Sequence, residues 1–485
     1  MGSGPRRARP PADAELHRRA GHRRDRGGRT GCARSRAAVL AVAIAVDPHP
    51  VRVRARGRAS VGRDARAQAR TAGGVVRVRV HGPVRRGPRH PRDDDRVTFV
   101  DDRPETSVQA LNALNDDFLY FNVAGSGPTF PIAQRAAEAY RTWMNGVGMF
   151  SHVGYESYNA ELSATRADLA SFIGDPEGAS RIALAQSATD GLNTLIASLP
   201  LEPGALIVTT AEEHPAALLP VYRRQDRGDR VRVVALHDDE RFLADVAQAF
   251  NDGAQAIVLS LVSCRTGRRL PVEAAAKLAR EAGAISVVDC AQALGQIPVD
   301  VRALGVDAMV FLGHKWLHGP LATGATWIAD PGRWTPSRVG WRSRADHDLE
   351  GHMTLNDDAT RFEIGTVDVA AFVGIRQALA VHRALGAWVG RRVKELRTRV
   401  LAAVSELPLD LLGRADDPTG IVVVQPRSGG AAEIVQRAWD EDRVVIKHVG
   451  DQSMDAIRIS FWALHRDADV DRLSAVLAKQ LTVRA

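Results

Sequence analysis

The stretch FLGHKWLHGP, Phe311 to Pro320, puts a lysine directly behind an apolar run. The chain carries 65 Lys+Arg, yet only five are lysines: Lys277, Lys315, Lys394, Lys447 and Lys479. Arginine is the default cation, so a lysine at this costly position asks for chemistry that arginine cannot do. A guanidinium stays protonated and is a poor nucleophile, whereas a desolvated ammonium gives up its proton. Asp289 closes a similar run, ISVVDC, 26 residues earlier. A carboxylate and a lysine at two strand ends make either a structural ion pair or the two handles of pyridoxal phosphate (PLP). In the second case the amine forms a Schiff base with the aldehyde. The carboxylate keeps the pyridine nitrogen protonated, so the ring accepts electrons.

The elements around these residues suit that second reading. From about Asp117 helical and strand-like segments alternate. AQRAAEAYRTWM and AELSATRADLASFIG space their apolar residues as helices do. ALIVTT, VRVVAL, AIVLSL, ISVVDC and DAMVFL are short runs apolar on both faces, separated by helical stretches such as VEAAAKLAREAG. Such runs predict a mostly parallel sheet between layers of helices, with ligands meeting the strands' carboxyl ends. After Gly365 come long helices, then GIVVVQP, RVVIKHV and AIRISFW, and a final helix DADVDRLSAVLAKQL. This texture predicts a smaller α+β domain.

Charge divides the chain unevenly. Residues 1–96 hold 25 Arg and no Lys against 8 acidic residues, whereas the remainder holds 40 basic and 49 acidic groups. The leader lacks the clustered apolar residues that offset ordering entropy, so the expectation is a disordered or non-native segment. A basic tail can also bind nucleic acid, which leaves a PLP-binding regulator as a remote alternative. Its one apolar run, Ala37 to Val46, is too short to span a bilayer, and 36 residues precede it, unlike a secretory signal. Three cysteines, Cys32, Cys264 and Cys290, form neither a disulfide framework nor a zinc motif. The expectation is a cytoplasmic protein acting on a small molecule, without membrane or nucleic-acid partner and without a metal.

The run SVVDCAQALGQIPVDVRALGVDAMVFLGHKWLHGP resembles the signature of the class V aminotransferase family, and the likeness extends from FLYFNVAGSGP to about Leu473. That family includes cysteine desulfurases, selenocysteine lyases and isopenicillin N epimerase-like enzymes. The resemblance implies the PLP-dependent transferase fold of type I. After the Arg-rich leader over 1–96, it implies an N-terminal segment over 97–130 packing on the small domain, a large PLP-binding domain over 131–375 and a small domain over 376–485. Lys315 is then the Schiff-base lysine, Asp289 the partner of the pyridine nitrogen, and Gln292 a donor to the phenolic oxygen. SATDGLN resembles the phosphate-binding turn, where Ala188 and Thr189 supply N–H groups and a hydroxyl at a helix start. EEHPAALLP resembles the segment whose histidine, His214, stacks on the ring. His314 resembles the histidine that reaches the phosphate. RFEIGT resembles a segment whose threonine, Thr366, contacts the partner subunit's cofactor, which implies a homodimer. Arg458 in AIRIS resembles the arginine that grips a substrate carboxylate, a task suited to its fork. Taken singly, Asp289 could be a strand-end cap, Thr189 a helix cap, His214 a loop histidine and Arg458 a surface arginine.

The pattern also breaks. Desulfurases carry a mobile-loop cysteine where this chain has HVGDQSMDA, and Ser453 cannot do thiolate chemistry. Leu312 stands where relatives have a serine, and Ser263-Cys264 where many have Ser-Asn. Cys264 and Cys290 lie near the cofactor segments, as a reactive thiol or as packing residues. Lys447 lies where relatives often carry a basic residue facing the substrate, and surface solvation is the equal alternative. These departures favour direct β-elimination from a cysteine derivative over sulfur relay. Transamination and epimerisation remain the close alternatives.

Overall fold

The computed structural model describes residues 115–450 and 454–482, all within the unit Val78–Ala485. The Arg-rich leader with its apolar run, Cys32 and Ser453 lie outside the described residues. A short strand β1 (Leu119–Tyr120) precedes helices α1 (Pro131–Val147) and α2 (His152–Phe172). Then come β2 (Ile182–Ala185), α3 (Ala188–Ala197), β3 (Leu206–Thr210), α4 (Pro215–Arg223), β4 (Arg230–Val234) and α5 (Asp239–Asn251). They are followed by β5 (Ala254–Ser260), α6 (Val272–Glu281), β6 (Ile285–Asp289), α7 (Val301–Leu304), β7 (Ala308–Leu312) and β8 (Gly324–Ile328).

These strands form one seven-stranded sheet in the order β2-β8-β7-β6-β5-β3-β4. The five apolar runs singled out in the sequence are its parallel members, β3 to β7. Both β7 and β2 pair antiparallel with β8, so β2 points the same way as the other five. Alternate side chains feed separate cores. Leu206, Val208, Ile257, Leu259, Met309 and Phe311 belong to one cluster. Ile207, Ala256, Val258, Ala308 and Val310 belong to the other. Strands with an apolar core on both faces cannot show polar alternation.

A hairpin of β9 (Arg344–His347) and β10 (Met353–Leu355) follows, and then helices α8 (Val369–Leu385) and α9 (Trp388–Ser405). Helix α8 packs on α1 and α2 and leads out of the large-sheet layer, so positions 375 and 376 lie inside it. Beyond it lie β11 (Leu409–Leu411), β12 (Ile421–Pro426), α10 (Ala431–Asp442), β13 (Val444–Val445), β14 (Lys447–Val449), β15 (Ala456–Ser460) and α11 (Asp467–Thr482). The second sheet is antiparallel in the order β11-β12-β15-β14. RVVIKHV is cut at Ile446, because its first half pairs with β1 and its second half with β15. Leu119 and Phe121 are buried with Leu396, Ile457, Ile459 and Phe461. No helix among the described residues is long and apolar enough to cross a membrane.

Candidate active site

Because β2, β3, β5, β6 and β7 run the same way, their carboxyl ends share one edge of the sheet. There a cleft is lined by Ala188, Thr189, His214, Asp289, Gln292 and Lys315, together with Ser260 and Cys264. Six sequence-expected residues thus come together from four separate segments. His314, Thr366 and Arg458 stand outside this lining.

The rim at α3 is a prepared helix start. Ser187 caps it by accepting the Asp190 N–H at 3.1 Å, and first-turn N–H groups have no carbonyl one turn back. Two glycines let this turn sit against the sheet. A Cβ on Gly191 would lie 2.8 Å from both Val310 Cγ1 and Thr326 Cγ2, and one on Gly324 would lie 2.8 Å from the Ser187 carbonyl carbon. An anion placed here meets unpaired amides and the positive end of the helix.

Asp289 ends β6, and its Oδ1 accepts the Ala291 N–H at 2.8 Å. Burial pushes its carboxyl up, against the pull of that N–H and of the Lys315 charge. Lys315 follows β7, and burial pushes its amine down while Asp289 holds it up. The two make no ion pair: among the described residues Nζ has no hydrogen-bond or ion-pair partner. An amine left bare beside a carboxylate that it does not touch fits a group held between them. Gln292 is locked in one orientation, since Trp316 Nε1 donates to its Oε1 at 2.8 Å while its Nε2 donates to the Ala124 carbonyl at 3.0 Å. One Nε2 hydrogen remains for a ligand.

His214 caps α4, its Nδ1 accepting the Ala216 N–H at 3.0 Å. The hydrogen of a neutral ring therefore sits on Nε2. His314 Nδ1 is buried without a partner among the described residues, and burial with the Lys315 charge pushes the ring's pKa down. Arg458 is buried on β15, with Nη1 donating to the Cys264 carbonyl at 3.0 Å and Nη2 to Asn122 Oδ1 at 3.4 Å. Its Nε has no partner among the described residues. Thr366 is exposed in the loop before α8. Both described cysteines are buried and free. Burial pushes the Cys264 thiol up to about 11 and the Cys290 thiol well above its usual range. Sequence reasoning missed Ser260, which lines the cleft, and the buried Glu213 that bonds to it. Glu213 lies inside EEHPAALLP beside His214, and nothing in that string marks its partner on another strand.

The donor set fits PLP. Amides at a helix start and a bare histidine nitrogen suit a phosphate, Asp289 suits a pyridinium and the partnerless Lys315 suits an aldehyde. Comparison with known proteins agrees. The family model "Aminotransferase class-V" matches residues 119–473. A cysteine desulfurase of Klebsiella pneumoniae is 30% identical over 304 residues, which cover 60% of this chain and 73% of that protein. A structure of a cystine C–S lyase with its product cysteine persulfide is 25% identical, with a TM-score of 0.69 over 75% of this chain and 97% of that one. Another structure of that lyase, with glycine covalently linked to PLP, superposes with a TM-score of 0.70 at 24% identity, over 77% of this chain and 98% of that one. The sheet, the cleft and the matched span agree: this chain belongs to the class V aminotransferase family and is a PLP-dependent enzyme.

Proposed function

We propose that the enzyme cleaves a carbon–sulfur bond by β-elimination from a cysteine derivative. The observation that carries this reading is the state of the two thiols, Cys264 at the cleft and Cys290 in the core beside Asp289. Cys264 and Cys290 are buried with raised pKa values, and the segment between Lys447 and Arg458 contains no cysteine. A thiol that stays protonated is a poor sulfur acceptor, so sulfur leaves directly. The likeness to the cystine C–S lyase supports the same choice.

The residues divide the work. Ala188, Thr189 and His314 would hold the phosphate, His214 would face the ring, Gln292 would donate to its phenolic oxygen and Asp289 would keep its nitrogen protonated. When bound, PLP supplies an electrophilic aldehyde and a ring that stabilises negative charge at the substrate α-carbon. Arg458 grips the substrate carboxylate with its guanidinium fork. Lys315 would hold the aldehyde until substrate binds. Its free amine, with a pKa lowered by burial, takes the α-proton at Nζ. The Cβ–S bond then breaks with its electron pair on sulfur. Lys315, now carrying the α-proton, can return it to the sulfur, and the three-carbon remainder hydrolyses to pyruvate and ammonia.

The same reading makes the chain a cytoplasmic homodimer, with Thr366 reaching the partner subunit's phosphate. Exposed Val339, Trp341 and Ile364 support a contact with a second copy, since Gly340, between the first two, packs against the Ile364 backbone two residues before Thr366. The division of the chain at 96, 130 and 375 belongs to this reading too. The test is a panel of amino acids, cystine and S-alkylcysteines given to the PLP-loaded protein. Pyruvate, ammonia and the sulfur product in equal amounts support the proposal. Keto acid with conversion of the cofactor to its amine form identifies an aminotransferase instead, and a change of stereochemistry alone identifies an epimerase.

A further inference from the structure

The proposed chemistry leaves one buried carboxyl beneath the cleft idle. Glu213 is 1% exposed and sits between Thr210, which ends β3, and His214, which caps α4. No cation pairs with it among the described residues. Its Oε1 accepts the Thr210 hydroxyl at 2.6 Å and the Ser260 N–H at 3.0 Å, while its Oε2 lies 2.6 Å from the Ser260 hydroxyl. Two of these three roles are fixed. A backbone N–H only donates. The Thr210 hydroxyl has no other acceptor for its hydrogen among the described residues, so that hydrogen goes to Oε1. Any proton on Glu213 therefore sits on Oε2, where the sole partner is the Ser260 hydroxyl. Ser260 in turn pairs with Asp289 across β5 and β6. Paired residues of neighbouring strands point to one face, and both line the cleft.

We propose that Glu213 is a positioning residue that acts through Ser260. With Glu213 ionised, the Ser260 hydroxyl is spent on Oε2 and offers the cleft only lone pairs. With Glu213 protonated, Oε2 donates to Ser260, and the serine turns its hydrogen to the cleft beside Asp289. This rests on the reading of Asp289 as the partner of the ring nitrogen. Burial pushes the Glu213 carboxyl up to about 7, opposed by its bonds from Ser260 and Thr210 and reinforced by the charge of Asp289. The other groups around it are Cys264 beyond β5, Lys315 across from Asp289, and its loop neighbours Glu212 and His214. Cys264 stays a thiol at neutral pH, and Glu212 is held by the hydroxyls of Ser263 and Thr266. Asp289 is thus the anion that feels the switch, gaining a hydroxyl donor below the transition and facing a second carboxylate above it.

The experiment is a pH titration of the visible imine band of PLP-loaded wild type, Glu213→Gln and Ser260→Ala. The wild type is expected to show a step near neutrality. Glu213→Gln, whose amide always donates to Ser260, is expected to lose the step and keep the wild-type low-pH spectrum throughout. Ser260→Ala removes only the hydroxyl and is expected to lose the step too, which carries the test if the glutamine variant folds poorly. Titrations that coincide in wild type and both variants overturn the proposal and assign the step to His214 or Lys315. A wild type with no imine band overturns the assignment of the site itself, and this proposal with it.

Discussion

Replacing Glu363 with leucine removes the anion from a buried charge cluster that anchors the loop carrying Thr366. Arg166 grips Glu363 through Nε at 3.0 Å and Nη2 at 2.7 and 2.8 Å. Arg342 approaches from the other side at 3.2 Å, and the Leu184 N–H donates at 3.0 Å. The side chains are 9% exposed for Arg166, 10% for Arg342 and 1% for Glu363, so water cannot replace the carboxylate. Breaking a buried pair from one side costs about 3–5 kcal/mol, and the stranded Leu184 N–H adds about 1–3 kcal/mol. Leucine fills most of the vacated volume, so the cavity contribution is small. A loss of about 4–8 kcal/mol is a large fraction of the roughly 5–15 kcal/mol that holds a domain folded. Urea unfolding followed by tryptophan fluorescence measures it. Adding Arg166→Met is expected to recover part of the loss, since one of the two uncompensated cations is then gone. A loss below about 1 kcal/mol refutes the reasoning, because that is the range of a solvated surface pair.

Lys315→Ala is expected to abolish the visible imine band and to cut turnover by at least about 10²–10⁴-fold, the usual share of a proton-transferring group. Retained colour and activity would refute its role. Acid is expected to destabilise the fold through two buried imidazoles. Burial lowers His318 to about 3 and His382 to about 4, from an ordinary 6.5. Between those values the unfolded chain binds protons that the folded chain refuses, so stability is complete above about 6.5 and falls as pH drops towards the folded values. At about pH 5 the loss is about 2 kcal/mol per histidine, read as a lower urea midpoint than at neutrality; equal midpoints would count against it. Finally, Cys264 and Cys290 are expected to resist iodoacetamide in the native protein near neutral pH and to react once unfolded, scored by mass spectrometry. Rapid native labelling of either would contradict the raised thiol pKa values and the argument against sulfur relay.

The sequence was most legible where periodicity alone decides. Five short β-branched or apolar runs are the five consecutive parallel strands, and Asp289 and Lys315 fall at their carboxyl ends as that layout requires. The antiparallel insertion of β8 between β7 and β2 was not legible, because IALA and GATWI are too short to show direction. The pairing of Leu119–Tyr120 with Val444–Val445 joins residues 325 apart, and apolar runs carry no address. Charge wiring was hidden for the same reason. Arg166 reads as a surface arginine in a helix, and Glu363 as one acid in RFEIGT, until the fold brings them together. Glu213 shows the limit most clearly: its neighbour His214 was visible by motif, but its hydrogen-bond partner comes from another strand.

Arg458 has a mechanical consequence. Its two terminal nitrogens fasten the small sheet at once to the turn after β5 and to the segment around Asn122. Pulling that guanidinium towards an incoming carboxylate loosens one fastening or drags the Cys264 turn along with it. On the proposed function, a substrate carboxylate drawing on Arg458 puts tension across the seam between the two sheets, so binding is felt beyond the site itself.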